Sequence, residues 1–380
     1  MTRTLTVPRL AGLRALALVA GLVLSLALVA PASADVEVSD DRTQADDPTS
    51  ITFLLRVGGD PIESAALNYS VINPDGNVGG ALRVSPPSGG TGDLSATLNT
   101  ITREVYIPVG SQFRYSWTLT TPDGDTVTTD AQEFVFLDGR YTWQSQEQDG
   151  VTVYWYSDQD SALQTLQATA DSIADVETLL DTELPYPVRV VVWPRESEGE
   201  LAQRPRGGEF DSQVITGGAR VSSDLLHVYD ALGSFIDVAR HEAAHLVTKV
   251  AGDGPFTRVP SWLDEGVAVY AQNDPGDGYR TAVGFAVTTD SPLRLRNMAS
   301  ASNQAAQVNL FYGQSWSTVT YLVDTYGQES LAELFATIKE GNPTDEALMA
   351  VYGFDQDGLY NEWRESHGLD AIEYAPRAQG

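Results

Sequence analysis

His241 and His245 stand four residues apart in Arg240-His241-Glu242-Ala243-Ala244-His245. On an α-helix that spacing places both imidazoles on one face, one turn apart. Two imidazoles so placed can take two corners of a tetrahedral Zn²⁺ site, and a catalytic site asks for three protein ligands with a fourth position open. Glu242, between them, is a carboxylate able to take a proton from water at that position. Glu265, in Ser261-Trp262-Leu263-Asp264-Glu265-Gly266, is the expected third ligand, with nineteen residues between it and His245. That is enough chain for one helix to end, a loop to turn and a second helix to bring a carboxylate back.

The flanking residues suit two helices. Ser234 is an expected N-cap with Asp237 as its capping-box acid, and Gly252 suits a helix stop. Pro260 fits the start of the second helix. Apolar Trp262, Leu263, Val267, Ala268 and Val269 nearly surround Glu265. A carboxylate in such surroundings is costly unless it is paired or metal-bound. The competing reading is an ordinary buried helix whose histidines bond to backbone, and the returning carboxylate argues against it.

His241-Glu242-x-x-His245 followed by Trp262-Leu263-x-Glu265-Gly266-x-Ala268-x-Tyr270 resembles the gluzincin metallopeptidases, in particular the bacterial peptidase-MA-like group. The similarity extends through Tyr312-Gly313-Gln314-Ser315-Trp316 and Tyr326-Gly327, and so over residues 150 to 365. The resemblance implies a zinc peptidase domain and an edge strand that pairs with extended substrate, here expected at Leu225–Tyr229. Thermolysin-like enzymes carry an Asp four residues after the third ligand to orient a zinc histidine; Val269 occupies that position here. Asp237 and Asp264 are the nearby acids. Successive helical residues point about 100° apart, so Asp264 is expected to face away from the metal. Asp237 is expected to cap its helix, leaving a backbone carbonyl to hold His241.

The chain opens with Arg3, Arg9 and Arg14, an apolar run from Ala15 to Ala30, and Ala32-Ser33-Ala34. That is the pattern of a signal peptide over residues 1–34, cleaved after Ala34, which predicts a secreted protein without stable membrane insertion. Those residues hold three Arg and no acid, so their removal takes the formal charge from −29 to −32. Such a field disfavours nucleic acid as a partner. There is no cysteine, so disulfides are excluded and stability must come from buried cores.

From Ser50 the pattern is one of short strands and turns. Phe113, Tyr115, Trp117 and Leu119 alternate with Arg114, Ser116, Thr118 and Thr120, the period of a half-buried strand. Asn73-Pro74-Asp75-Gly76 is a turn. Val36–Pro48 reads as a loose polar lead-in, and residues 35–146 as an antiparallel β-sandwich of immunoglobulin-like size, acting as a scaffold. Gln144–Gly150 reads as the joint to an α+β domain over residues 147–380. That domain should hold strands at Val151–Tyr156, Val188–Trp193 and Leu225–Tyr229, a helix over Ser161–Leu180, and helices after Glu265.

The chemistry expected is hydrolysis of peptide bonds in a peptide or protein substrate. His241, His245 and Glu265 bind Zn²⁺, Glu242 is the general base, and Tyr312, heading a helix in the family-like segment, donates to the oxyanion. Tyr270 and His227 are weaker candidates for that donor, and His227 reads more simply as a strand histidine. Two alternatives stay open: a non-catalytic surface or adhesion protein that keeps the peptidase fold, and a zinc hydrolase of non-peptide amides. Intact Glu242 disfavours the first, since a structural zinc site needs no base between its ligands.

Overall fold

The computed structural model describes residues 35–200, 202, 218–229, 235–300 and 307–374. The expected signal segment, residues 1–34, and the expected cap Ser234 lie outside the described residues.

The β-rich region forms two antiparallel sheets. One joins β1 (Val36–Gln44), β2 (Ser50–Gly59) and β5 (Gly92–Asn99) in the order β1-β2-β5. The other joins β3 (Ser64–Ile72), β4 (Val78–Val84), β6 (Gln112–Thr120) and β7 (Thr126–Thr128) in the order β4-β3-β6-β7, with β8 (Gln132–Val135) also paired to β6. The alternation read in β6 holds: Phe113, Tyr115, Trp117 and Leu119 are buried and pack with Ile51, Phe53 and Leu67. The lead-in is not loose. Val36–Gln44 is an edge strand antiparallel to β2, with a register shift between Ser39 and Arg42. An edge strand needs only backbone partners on one side, so its side chains stay polar and the sequence carries little strand signal.

A third sheet follows, built from β9 (Gln144–Gln148), β10 (Val151–Trp155), β11 (Val188–Trp193), β12 (Gly218–Ser222) and β13 (Leu225–Tyr229), in the order β12-β13-β11-β10-β9. The polar residues read as a joint are thus an edge strand, antiparallel to β10. Strands β10, β11 and β13 run parallel.

Both faces of this sheet are covered, which is why β11 and β13 are buried at every position. On one face Val188, Val190, Val192, Leu226 and Val228 pack against α1 (Gln159–Leu180) and the helix Phe235–Gly252. On the other, Val191, Trp193, Leu225 and Tyr229 share a single core with the β-rich region. Gly110 sits in that seam, where a Cβ would come within 2.6 Å of Leu225 and 2.8 Å of Val191. A short α2 (Glu196–Glu200) lies after β11.

The remaining helices are α3 (Phe235–Gly252), α4 (Ser261–Tyr270), α5 (Asp277–Thr288), α6 (Val308–Tyr326), α7 (Gln328–Lys339), α8 (Thr344–Tyr352) and α9 (Gln356–Ser366), with a 3₁₀ turn at Leu295–Met298. They enclose a third core around Trp262, Leu263, Val267, Phe311, Phe335 and Trp363. Asp158 caps α1, accepting from the N–H groups of Asp160 and Ser161. The fold is therefore mixed α+β, with a β-rich N-terminal region ahead of a helical C-terminal one. No helix among the described residues is long and apolar enough to cross a membrane.

Candidate metal centre

Helix α3 carries His241, Glu242 and His245, and is pinned on both flanks. Arg240 donates to the Ala271 carbonyl at 2.6 Å and to Asp175 of α1 at 2.5 Å. Ser172 of α1 donates to the Arg240 carbonyl at 2.7 Å. Helix α4 crosses α3 and delivers Glu265 opposite the imidazoles. His241 Nε2 and His245 Nε2 are 3.2 Å apart, and Glu265 Oε2 lies 3.2 Å from the first and 3.4 Å from the second. That oxygen is buried and forms no hydrogen bond among the described residues. Three electron-pair donors therefore face one point, and together they can hold a metal ion.

The electrostatics favour a cation there. Burial alone would raise the Glu265 carboxyl's pKa, but the His245 and His241 imidazoles outweigh it and hold it well below the usual carboxylate range. Burial alone would lower His245, and Asp264 with Glu265 reverse this and raise it well above its ordinary value. A site whose field stabilises a proton so strongly also stabilises a metal ion in its place.

Each imidazole is held from behind. His245 Nδ1 meets Asp264 Oδ1 at 2.9 Å. The Thr248 hydroxyl donates to the same oxygen at 2.5 Å and contacts the His245 carbonyl at 3.2 Å. The sequence expectation that Asp264 faces away is thus overturned. Its 100° rotation from Glu265 carries it from one ring nitrogen of His245 to the other, because the two nitrogens of an imidazole point in different directions. His241 Nδ1 abuts the Gln272 side-chain amide at 3.0 Å, not a backbone carbonyl. An amide can offer either an acceptor oxygen or a donor NH₂ to that nitrogen. Asp237 is turned away from His241 and accepts the Asn273 backbone N–H at 2.9 Å. It therefore fixes the segment that carries Gln272.

Glu242 leaves the ligand cluster and meets the sheet. Its Oε2 accepts the Arg220 backbone N–H at 3.0 Å, and the Arg220 guanidinium donates to the His245 carbonyl at 3.1 Å. The strand beside the centre is therefore β12. The expected edge strand Leu225–Tyr229 is interior instead, paired with β11 on one side and β12 on the other. Its backbone is committed and cannot take up a further chain. His227, on that strand, is fully buried with Nε2 2.8 Å from the Val109 carbonyl, and burial lowers its pKa to about 4. It is a core histidine stitching the sheet to the β-rich region, and not part of the centre.

Tyr312 does reach the centre, its ring 6.1 Å from that of His241. Burial, then the Glu265 charge, push its phenol well up, so the O–H stays protonated and able to donate. Tyr279 of α5, which the sequence did not single out, stacks on it at 5.7 Å and 14°. Burial and Glu265 raise Tyr279 to about 12. Two glycines set these approaches. A Cβ at Gly266 would come within 2.6 Å of both the Ser315 carbonyl oxygen and Val319, so α4 and α6 touch directly beside Glu265. A Cβ at Gly313 would come within 2.7 Å of the Tyr279 carbonyl oxygen, which brings α5 onto α6. Tyr270 packs against the helical core.

Two histidines and a returning carboxylate facing one point form an arrangement that could serve a metal-dependent hydrolase. Residues 232–367 match the family model described as the peptidase MA superfamily, which supports placing this segment in that superfamily. No curated protein matches the chain. Among solved structures the chain is similar to OgpA of Akkermansia muciniphila, at 18% identity over 28% of this chain and 28% of that one, with a TM-score of 0.21. It is also similar to a polysaccharide deacetylase of Bacillus cereus (11% identity, 44% of this chain and 53% of that one, TM-score 0.21). A third is Spo0M, a sporulation control protein of Bacillus subtilis (15% identity, 37% and 55%, TM-score 0.20). The chain thus spans little more than half of these relatives at most, and likenesses at such TM-scores carry no argument.

Proposed function

We propose that this chain is a secreted zinc-dependent metallopeptidase of gluzincin type, with an immunoglobulin-like N-terminal region, that hydrolyses peptide bonds in a peptide or protein substrate. The observation that carries the reading is the triangle of ligand atoms, with sides of 3.2, 3.2 and 3.4 Å. Tetrahedral bonds of about 2.0–2.1 Å give ligand–ligand edges of about 3.3–3.4 Å, so these donors suit Zn²⁺ without rearrangement. When bound there, Zn²⁺ supplies Lewis acidity, which acidifies water and polarises a carbonyl.

The chain's own residues do the rest. Asp264 holds the His245 Nδ1 proton, which leaves Nε2 free to ligate. Glu242 takes a proton from water and passes it to the leaving amine. Its bond from Arg220 keeps the carboxylate turned toward the edge of β12, where an extended substrate backbone would run. Tyr312 donates its O–H to the developing oxyanion.

The test is metal analysis of the purified protein lacking residues 1–34, with cleavage of a quenched fluorescent peptide library before and after chelation. About one zinc per chain is expected, with cleavage abolished by chelator and restored by added zinc. A metal-free form that takes up no zinc, or cleavage indifferent to chelation, would overturn the reading.

A further inference from the structure

A cleft of about 640 Å³ opens between the β-rich region and the end of β12. Tyr69, Val71, Val78 and Val105 form its wall on the β-rich side, and Val221 and Ser222 on the sheet side. Two of the wall residues are more open to solvent than core packing would leave them, Val78 at 71% and Val105 at 37%. We infer that this cleft is a substrate subsite, filled by apolar, non-acidic side chains of an extended peptide that continues along β12 from the metal centre. The inference rests on the peptidase reading and gives the β-rich region a part in substrate choice, beyond that of a scaffold.

Continuity is the first argument. Arg220 of β12 bonds to Glu242 beside the ligands, and Val221 and Ser222 line the cleft. Strand residues advance about 3.3 Å each, so the step from Arg220 to Ser222 is about 7 Å. A chain laid along β12 with its scissile bond near Glu242 therefore presents a residue two to four positions away at the mouth of the cleft. On its outer side β12 has no strand partner among the described residues. The volume is that of a small-ligand pocket, enough for one or two large side chains.

Charge sets the class of side chain. Four charged residues line the cleft, and two of its carboxylates are already neutralised. Asp224 pairs with buried Arg189, and Asp75 with Lys249 at 2.6 Å. Glu104 is left with no Lys or Arg against it among the described residues; it accepts from the Thr102 hydroxyl at 3.4 Å. An acidic side chain would enter against Glu104, and a strongly acidic molecule would meet no unpaired cation among the described residues that line the cleft. An apolar side chain would cover Val78, Val105 and Tyr69 and remove them from water.

The experiment uses the full chain without residues 1–34, as wild type, Val105→Glu and Val78→Glu; both sites are exposed and remote from the ligands. A randomised dodecapeptide library is digested and the cut sites read by mass spectrometry. In parallel, anisotropy of a labelled dodecapeptide rich in Leu, Val and Tyr follows binding to the metal-free protein, where no turnover is needed. Wild type should favour Leu, Val, Tyr or Phe over Asp or Glu by at least ~10-fold at one position two to four residues from the cut, on a single side. Each variant should lose that preference and bind the labelled peptide ~10-fold more weakly. Variant profiles and binding identical to wild type would overturn the subsite. Binding that is sensitive to Val105→Glu without any cleavage would support the subsite while sinking the peptidase reading. Neither binding nor cleavage would overturn both.

Discussion

Asp264 and Glu265, neighbours in sequence, grip opposite nitrogens of one imidazole: Asp264 Oδ1 lies 2.9 Å from His245 Nδ1, and Glu265 Oε2 lies 3.4 Å from His245 Nε2. The carboxylate placed to orient this histidine therefore comes from one residue before the proposed third ligand, and Val269 has no such role to fill. Replacing Asp264 by Asn keeps the size but removes the charge that favours the Nδ1–H tautomer. Asp264→Asn should weaken zinc binding ~10- to 100-fold with the fold intact. Thr248→Val, which removes only a donor to Asp264, should cost less. A zinc-competition titration on both variants, with circular dichroism as the folding control, checks this; unchanged affinity in Asp264→Asn would assign the carboxylate a purely structural role.

Glu242 touches no ligand atom, so its loss should spare the metal. Glu242→Gln is expected to retain zinc and thermal stability while lowering kcat by ~100-fold or more. Tyr312→Phe should lower kcat with little change in KM, since its donor acts only as charge develops on the carbonyl oxygen. Zinc content and steady-state kinetics on the same preparations separate these outcomes. Full turnover in Glu242→Gln would point to another base.

The local parts of the centre were legible in sequence because they are properties of one or two helices. The i, i+4 histidines and an acid set in an apolar helix need no knowledge of the sheet. What failed was placement across elements. The bounds of Leu225–Tyr229 are plain in the sequence, but its position inside the sheet depends on β12, whose Gly218 and Arg220 give no strand signal. Gln272 reaches His241 only because α4 ends where it does and Asp237 holds Asn273. The polar strands β1 and β9 carry no strand signal in the sequence because edge strands bury backbone more than side chains.

His227 should give the protein an acid sensitivity that does not arise at the candidate metal centre. Its folded pKa of about 4 lies below the ordinary value of 6.5. In that interval the unfolded chain binds a proton that the folded chain does not. Stability from this residue is thus fully present above pH 6.5 and is lost as pH falls toward 4. The full shift corresponds to about 3 kcal/mol. His227→Gln, which can still donate to the Val109 carbonyl, should flatten the fall in Tm between pH 6.5 and 4. An identical pH–Tm curve for the variant would place the acid sensitivity elsewhere.

The last prediction concerns the relation of the two regions. A cut between residues 146 and 147 passes through β9 and opens the core that Val191, Trp193, Leu225 and Tyr229 share with the β-rich strands. Burying each such side chain contributes about 1.5–3 kcal/mol, so uncovering four forfeits on the order of 6–12 kcal/mol. That is comparable to the whole stability of a typical domain, about 5–15 kcal/mol. Polar ties would go as well, among them Tyr106 to the Ala202 carbonyl, Ser223 to Asp75, His227 to the Val109 carbonyl, Arg189 to Gln112 at 2.9 Å, and Lys249 of α3 to Asp75 at 2.6 Å. The last of these anchors the metal helix itself. Residues 147–380 expressed alone should therefore aggregate or bind a hydrophobic dye strongly, and should hold zinc far more weakly than the chain of residues 35–380. Mixing in separately expressed residues 35–146 should restore part of the zinc binding, because the missing face of the sheet is returned. A fragment 147–380 that melts cooperatively near the Tm of the longer chain and keeps its zinc would show that the helical cores suffice without the β-rich region.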